Sequence, residues 1–250
     1  MLFRNRELDR ALKFIMESDF DVFCLQEVPE VFLKRLQTLP YSIAFRAERE
    51  MHFKEGIVEN YIVILTKHPV TAEGEISHED YWSLLPVRTR LFMRLMPSQL
   101  FTKIKNRKDL YVDITFHGKS VRVFNLHLIL MHPGLRLKEF ETAMAERDAS
   151  RPTIVCGDFN ILEAPHITVL NWLLGGRVGD VALYNRERMH IEKRFVEHEL
   201  VNPLRNAITH PISRSQLDHI LVSHTFSIKN ASVFPDSIGS DHHPIKVEVT

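Results

Sequence analysis

The 250 residues contain only two cysteines, Cys24 and Cys156. Each lies in an apolar, strand-like run and neither belongs to a C-x-x-C pair. That argues against a disulfide framework or a thiolate zinc site and leaves two reduced core thiols. Net charge is lacking too, with 32 Lys+Arg balanced by 32 Asp+Glu. No global field draws the chain to a polyanion, so any basic surface is local. No apolar stretch approaches the roughly 20 residues that a membrane-spanning helix needs. The opening segment, Met1–Arg10, is charged and has no signal-peptide apolar region. A soluble cytoplasmic protein is expected. Repeats, low-complexity tracts and linkers are also missing, which predicts a single domain over residues 1–250. Hydrophobic residues make up 44%, enough for a substantial core.

Periodicity supplies the elements. Leu8, Ala11, Leu12 and Ile15 fall at helical spacing. Asp19–Val28 is a continuous apolar run and reads as a buried strand. A short helix is expected over Glu30–Leu39, and strands over Tyr41–Phe45 and Tyr61–Thr66. Leu110–Phe116 and Val121–Leu128 flank a polar turn and predict a hairpin. Leu135–Asp148 is amphipathic, and Thr153–Cys156 is a β-branched run ending at Gly157. Leu217–Ser223, Phe226–Phe234 and Pro244–Val249 complete the chain as three strands. Strands mixed with helices indicate a layered α/β fold.

The polar residues stand in a pattern. Apolar strands end in Leu25-Gln26-Glu27, Asn125-Leu126-His127, Gly157-Asp158-Phe159-Asn160 and Gln216-Leu217-Asp218-His219-Ile220. A fifth cluster, Gly239-Ser240-Asp241-His242-His243-Pro244, precedes the last strand. Taken singly, each has a plain structural explanation. Glu27 suits a strand-end ion pair, Asp158 an Asx-turn, His127 a satisfied core histidine and Asp218 a backbone contact. Together, at strand ends that converge in layered α/β folds, they suggest a site.

In this order the set resembles the endonuclease/exonuclease/phosphatase superfamily, over nearly the whole chain. The most specific parts are Gly157–Asn160, matching G-D-x-N, and Ser240–Pro244, matching S-D-H-x-P. The resemblance implies a four-layer α/β sandwich of two packed mixed sheets flanked by helices. It also implies a phosphoester hydrolase using Mg²⁺, with Mn²⁺ as the other candidate. Glu27 and Asp241 would be the metal ligands. Asp158 and Asn160 would position the attacking water, the metal or the phosphate. His242 would be a general base or phosphate contact, oriented by Asp218, and His127 would meet the scissile phosphate from the far side. The family begins with a strand ending in an asparagine. This sequence opens after that point, so the first family strand is expected to be missing or truncated, with Asn5 the one nearby candidate.

His127 stands where the abasic-site endonucleases of this family carry a tyrosine, and inositol-phosphatase segments are not seen. A phosphodiesterase acting on DNA or RNA is the leading expectation, and a lipid (sphingomyelinase-like) phosphodiesterase or a phosphomonoesterase is the alternative. A binding protein that keeps the fold without catalysis ranks third. Residues 86–110 carry seven Lys or Arg and one Asp, a local +6, interleaved with Leu, Phe and Met. That segment suits a nucleic-acid backbone, an anionic membrane surface, or simply solvent.

Overall fold

In the computed structural model, the helical spacing of Leu8–Ile15 becomes helix α1 (Leu8–Glu17), with Ala11 and Ile15 buried. Strand β1 (Val22–Pro29) follows, and Pro29 leads directly into α2 (Glu30–Leu36). The described residues are 7–52, 56–95, 103–116, 118–179 and 186–250. Residues 1–6 lie outside them, and with them the expectation about Asn5 and the first family strand.

Strands β2 (Ser42–His52), β3 (Ile57–Thr66) and β5 (Lys103–Lys105) join β1 in a four-stranded sheet, order β1-β3-β2-β5, antiparallel throughout. The second sheet holds six strands. They are β4 (Val70–Ser77), β6 (Lys108–Phe116), β7 (Lys119–His127), β8 (Thr153–Asp158), β9 (Leu200–Val201) and β10 (Asp218–Ser223), ordered β4-β6-β7-β8-β10-β9. Its β7–β8 pair is parallel, joined by the crossover helix α4 (Pro133–Ala145). Strands β11 (Ile228–Val233) and β12 (Ile245–Val249) form a separate hairpin.

Period-2 alternation builds the layers. In β7, Val121 and Val123 face the first sheet, packing against Ala44, Ile62 and Ile64. Phe124 and Leu126 point the other way, into a cluster with Phe140 of α4 and with Ile191 and Phe195 of a further helix, Arg186–Glu197, called α6 here after α5 (Thr168–Leu173). On the far side, α1 and α2 cover Val63 and Leu65. The result is helices, sheet, sheet, helices, the four-layer α/β sandwich expected from the sequence. Each buried Leu, Ile or Phe in these clusters contributes roughly 1.5–3 kcal/mol before chain entropy is subtracted. Asn125 ties the two sheets together. Its Nδ2 donates to the carbonyls of Leu25 at 3.0 Å and Val63 at 2.9 Å, and its Oδ1 accepts from Gln26 Nε2 at 2.5 Å.

Some elements were not evident from periodicity. The strand β4 is mostly exposed, with Glu73 and Glu75 exposed or half-exposed. Helix α6 is dominated by charge, and Arg136 of α4 anchors it through a buried two-point pair with Glu187 at 2.6 and 2.7 Å. In the basic stretch at 86–110 the described residues form helix α3 (Val87–Leu95), the strand β5 and the start of β6, and residues 96–102 lie outside them.

Candidate active site

Strand register places three of the expected residues in one row. His127 lies opposite Asp158 in the β7–β8 pair, and Asp158 lies opposite Asp218 in the β8–β10 pair. Asp218 begins its strand rather than ending it. Because β10 runs antiparallel to β8, its start lies beside the end of β8, so the sequence position still leads to the same edge. By alternation the three side chains share the face that looks toward the first sheet, in line with Val123, Cys156 and Ile220.

The turn after β8 is built locally. Gly157 has φ +142°, and a Cβ there would meet the carbonyl oxygen of Leu126 at 1.9 Å. Only glycine allows the parallel neighbour this close. Asp158 Oδ1 accepts from the Asn160 N–H at 2.8 Å, and Asn160, at φ +54°, donates Nδ2 to the Leu128 carbonyl at 2.9 Å. The Asx-turn is therefore present, and it serves to fix the carboxylate. The backbone of His127 is clamped from both sides: its N–H donates to Asp109 at 2.7 Å, and its carbonyl accepts from the buried Arg107.

The first sheet contributes through two adjacent bulges. The β1–β3 register shifts between Leu25 and Val28, and the β2–β3 register between Ala47 and Arg49. In an uninterrupted strand Glu27 would share the helix-covered face with Leu25. The bulge, with Glu27 at φ +56°, turns it inward beside Gln26. The second bulge puts Glu48 and Arg49 side by side on the same inner face. Arg49 pairs with Glu27, whose N–H donates to Glu48 Oε2 at 2.7 Å.

Two carboxylate–imidazole pairs result. Asp218 Oδ2 accepts from His242 Nδ1 at 2.8 Å, and Glu48 Oε1 accepts from His127 Nδ1 at 2.7 Å. His127 Nε2 lies 3.7 Å from Asp158 Oδ2. Burial alone would lower the pKa of His242, but the charge and hydrogen bond of Asp218, with the charge of Asp158, hold it at about 9. His127 is likewise raised by Glu48 against the effect of burial. Burial pushes Glu48 up, and the charges of His127 and Arg49 more than reverse this, to about 2. Asp158 is raised, first by burial and also by its neighbour Asp218.

Thr209, fully buried, fastens the remaining loop. Its hydroxyl accepts from the N–H groups of Leu217 and Asp218, at 3.0 and 2.9 Å, and its carbonyl accepts from His243 N–H at 2.7 Å. Asp218 and His242 are thereby held in one frame. His210, the next residue, packs its ring 4.8 Å from that of His242.

Sequence reasoning missed Glu48, Arg49, Thr209 and His210. Glu48 stands in Arg46-Ala47-Glu48-Arg49-Glu50, which reads as a solvated charge run. Its burial follows from the bulge and the sheet packed over it.

Donor atoms of Asp158, Asp218 and His242 lie within 4.8 Å of one another, as do those of His210, Asp241 and His242. Glu27 belongs to neither group, so the structure does not bring the two expected metal ligands, Glu27 and Asp241, into one cluster. Glu27 nevertheless fits a cation: it is 1% exposed, and its Oε2 is buried without a hydrogen-bond partner. Its second oxygen is already neutralised by Arg49. Glu27, His127, Asp158, Asp218 and His242 all line one groove of about 790 Å³ between β1 and β12.

A family model described as the Endonuclease/Exonuclease/phosphatase family matches residues 2–242. The sequence matches no curated protein. Among solved structures, an endonuclease/exonuclease/phosphatase from Beutenbergia cavernae DSM 12333 aligns at TM-score 0.68 and 16% identity, covering 97% of this chain and 65% of that one. A family protein from Leptotrichia buccalis aligns at TM-score 0.64 and 18% identity, covering 98% and 92%. A mannosyl-6-phosphatase of Bacteroides thetaiotaomicron aligns at TM-score 0.55 and 18% identity, covering 98% and 90%.

Proposed function

Since the chain belongs to the Endonuclease/Exonuclease/phosphatase family, we propose that it is a metal-dependent phosphodiesterase that hydrolyses its substrate by in-line attack of water. The observation that carries this reading is the row His127, Asp158, Asp218, flanked at each end by a carboxylate–imidazole pair. A phosphodiester is an anion that repels nucleophiles. A site for it needs positive charge around the phosphoryl oxygens and a base on the attacking side.

Glu27, with its buried unpartnered Oε2, would hold Mg²⁺, or Mn²⁺, which supplies charge neutralisation and polarisation of the phosphoryl oxygens. His242, held protonated at neutral pH by Asp218, donates to a phosphate oxygen. This favours its role as phosphate contact over that of general base. His127, whose affinity for a proton is raised by Glu48, does the same from the opposite side of Asp158 and delivers a proton to the leaving oxygen. Asp158 lies between the two imidazoles with its basicity raised by burial. It orients the attacking water and accepts its proton, while Asn160 fixes the turn that aims it.

Nucleic acid is the first reading of the substrate, and the cations of residues 86–110 support it. Arg88, Arg107 and Lys108 are engaged within the fold, which leaves fewer charges to carry it. A lipid phosphodiester is the second reading, favoured by the exposed aliphatic face of α3. The test is a panel of DNA, RNA, phospholipids, phosphomonoesters and bis-p-nitrophenyl phosphate, with Mg²⁺ or Mn²⁺ and with chelator. Turnover that needs the metal and falls by about 10²–10⁴-fold in Asp158→Ala and His242→Ala supports the reading. Wild-type rates in both variants overturn it.

A further inference from the structure

Helix α3 exposes the residues that a helix of this composition would be expected to bury. Val87, Leu91 and Leu95 recur every fourth residue and are 72, 56 and 76% exposed. At 3.6 residues per turn they form one stripe, bordered by Arg90 and Arg94 on one side and Arg88 on the other. The opposite face, with Thr89 and Met93, is the buried one. The helix is firmly seated. Arg88 donates to the carbonyls of Trp172 and Gly176 and stacks over the Trp172 ring, 4.9 Å from its centroid. Met93 belongs to one buried cluster with Ile129, Leu162 and Leu217. These three residues stand within two positions of His127, Asn160 and Asp218, so α3 is anchored at the end of the sandwich that carries the site.

Three occupants would cover an aliphatic stripe edged with arginine. A nucleic-acid backbone uses the arginines but gains nothing from three protruding aliphatic side chains. A second copy joined by a two-fold contact would set Arg90 and Arg94 against their own counterparts, a like-charge arrangement. An anionic bilayer satisfies both parts at once. Its phosphates take the guanidinium groups, and the boundary between headgroups and acyl chains takes the aliphatic stripe. No described helix is long and apolar enough to cross a membrane, so the association is peripheral.

We propose that α3 is an interfacial helix that seats the site-bearing end of the protein on an anionic lipid surface, through Val87, Leu91 and Leu95 in the headgroup boundary and Arg90 and Arg94 on lipid phosphates. The proposal deepens the lipid reading of the substrate, but docking itself requires no turnover.

The experiment is flotation of the full chain, in chelator, with vesicles of phosphatidylcholine alone or mixed equally with phosphatidylglycerol. Wild type is expected on the anionic vesicles and not on the neutral ones. Reversing Arg90 and Arg94 to Glu should weaken binding by at least about 30-fold, roughly fivefold for each lost charge. Leu91→Asp with Leu95→Asp should abolish it. Both double variants should keep the wild-type melting temperature and whatever rate the protein shows on soluble bis-p-nitrophenyl phosphate. No binding by wild type overturns the proposal. So does binding that survives Leu91→Asp with Leu95→Asp, or an arginine-dependent affinity for duplex or single-stranded DNA that exceeds the affinity for vesicles. Concentration-dependent dimerisation abolished by Leu91→Asp would assign the stripe to a second copy instead. Failure of the hydrolytic reading shows up separately, as absence of turnover in a protein that still floats.

Discussion

Nδ1 of His127 donates to Oε1 of Glu48 at 2.7 Å, across the space between the two sheets. The two residues are far apart in sequence, and neither signals the other. The contact exists because a bulge in β2 turns Glu48 and Arg49 inward together, while the alternation of β7 aims His127 at them. It mirrors the Asp218–His242 pair on the other side of Asp158.

Glu48→Gln keeps the shape of this contact and removes its charge. The expected result is a loss of about 10–100-fold in kcat with little change in KM, in line with the loss of other partners that orient a functional histidine. The pKa of His127, followed by NMR of the imidazole, should fall. An unmoved imidazole titration would show that Glu48 is only a packing residue.

The Asp218–His242 pair predicts a pH dependence. His242 is raised from an ordinary 6.5 to about 9, so the pair's stabilisation is fully present below about 6.5 and is lost as pH rises through about 9. If protonated His242 contacts the phosphate, kcat/KM should decline along an alkaline limb. Asp218→Asn should move that limb toward neutral pH. A profile identical to wild type would exclude His242 as its source.

Glu27 supplies the metal test. Saturating Mg²⁺ should stabilise the wild type, by about 2.7 kcal/mol at a concentration 100 times Kd. Glu27→Gln should cancel most of that thermal shift. It would also remove one of the two carboxylates paired with Arg49, so the variant's melting temperature without metal serves as the baseline. An equal Mg²⁺ shift in both proteins would remove Glu27 from the metal site.

Gly157 tests the register on which the row depends. With φ +142° and the Leu126 carbonyl where a Cβ would sit, Gly157→Ala should force β7 and β8 apart. A destabilisation of about 3 kcal/mol or more in urea unfolding is expected, with activity lost beyond what the folded fraction explains. A variant as stable as wild type would mean that the two strands separate there at little cost.

The parts of the site that the sequence determined are those that depend on short-range geometry. The β-branched run of β8, the glycine after it and the Asp-x-Asn turn define themselves within a few residues, and they stand where the motif suggested. The helix α1 follows from apolar spacing in the same way, whereas the buried face of α4 combines Phe140 and Met144 with Arg136 and Glu139. Tertiary structure decided the rest, because the deciding interactions cross between sheets. Bulges changed which face Glu27, Glu48 and Arg49 occupy, and nothing local marks a bulge. Antiparallel pairing brought the start of β10, not its end, to Asp158. The basic segment shows the same limit most clearly. The sequence counts seven cations there, but only the packed structure shows Arg88 on Trp172, Arg107 on the His127 carbonyl and Lys108 on Glu75. Charge is a property of composition, whereas the charge available to a partner depends on what the fold has already paired.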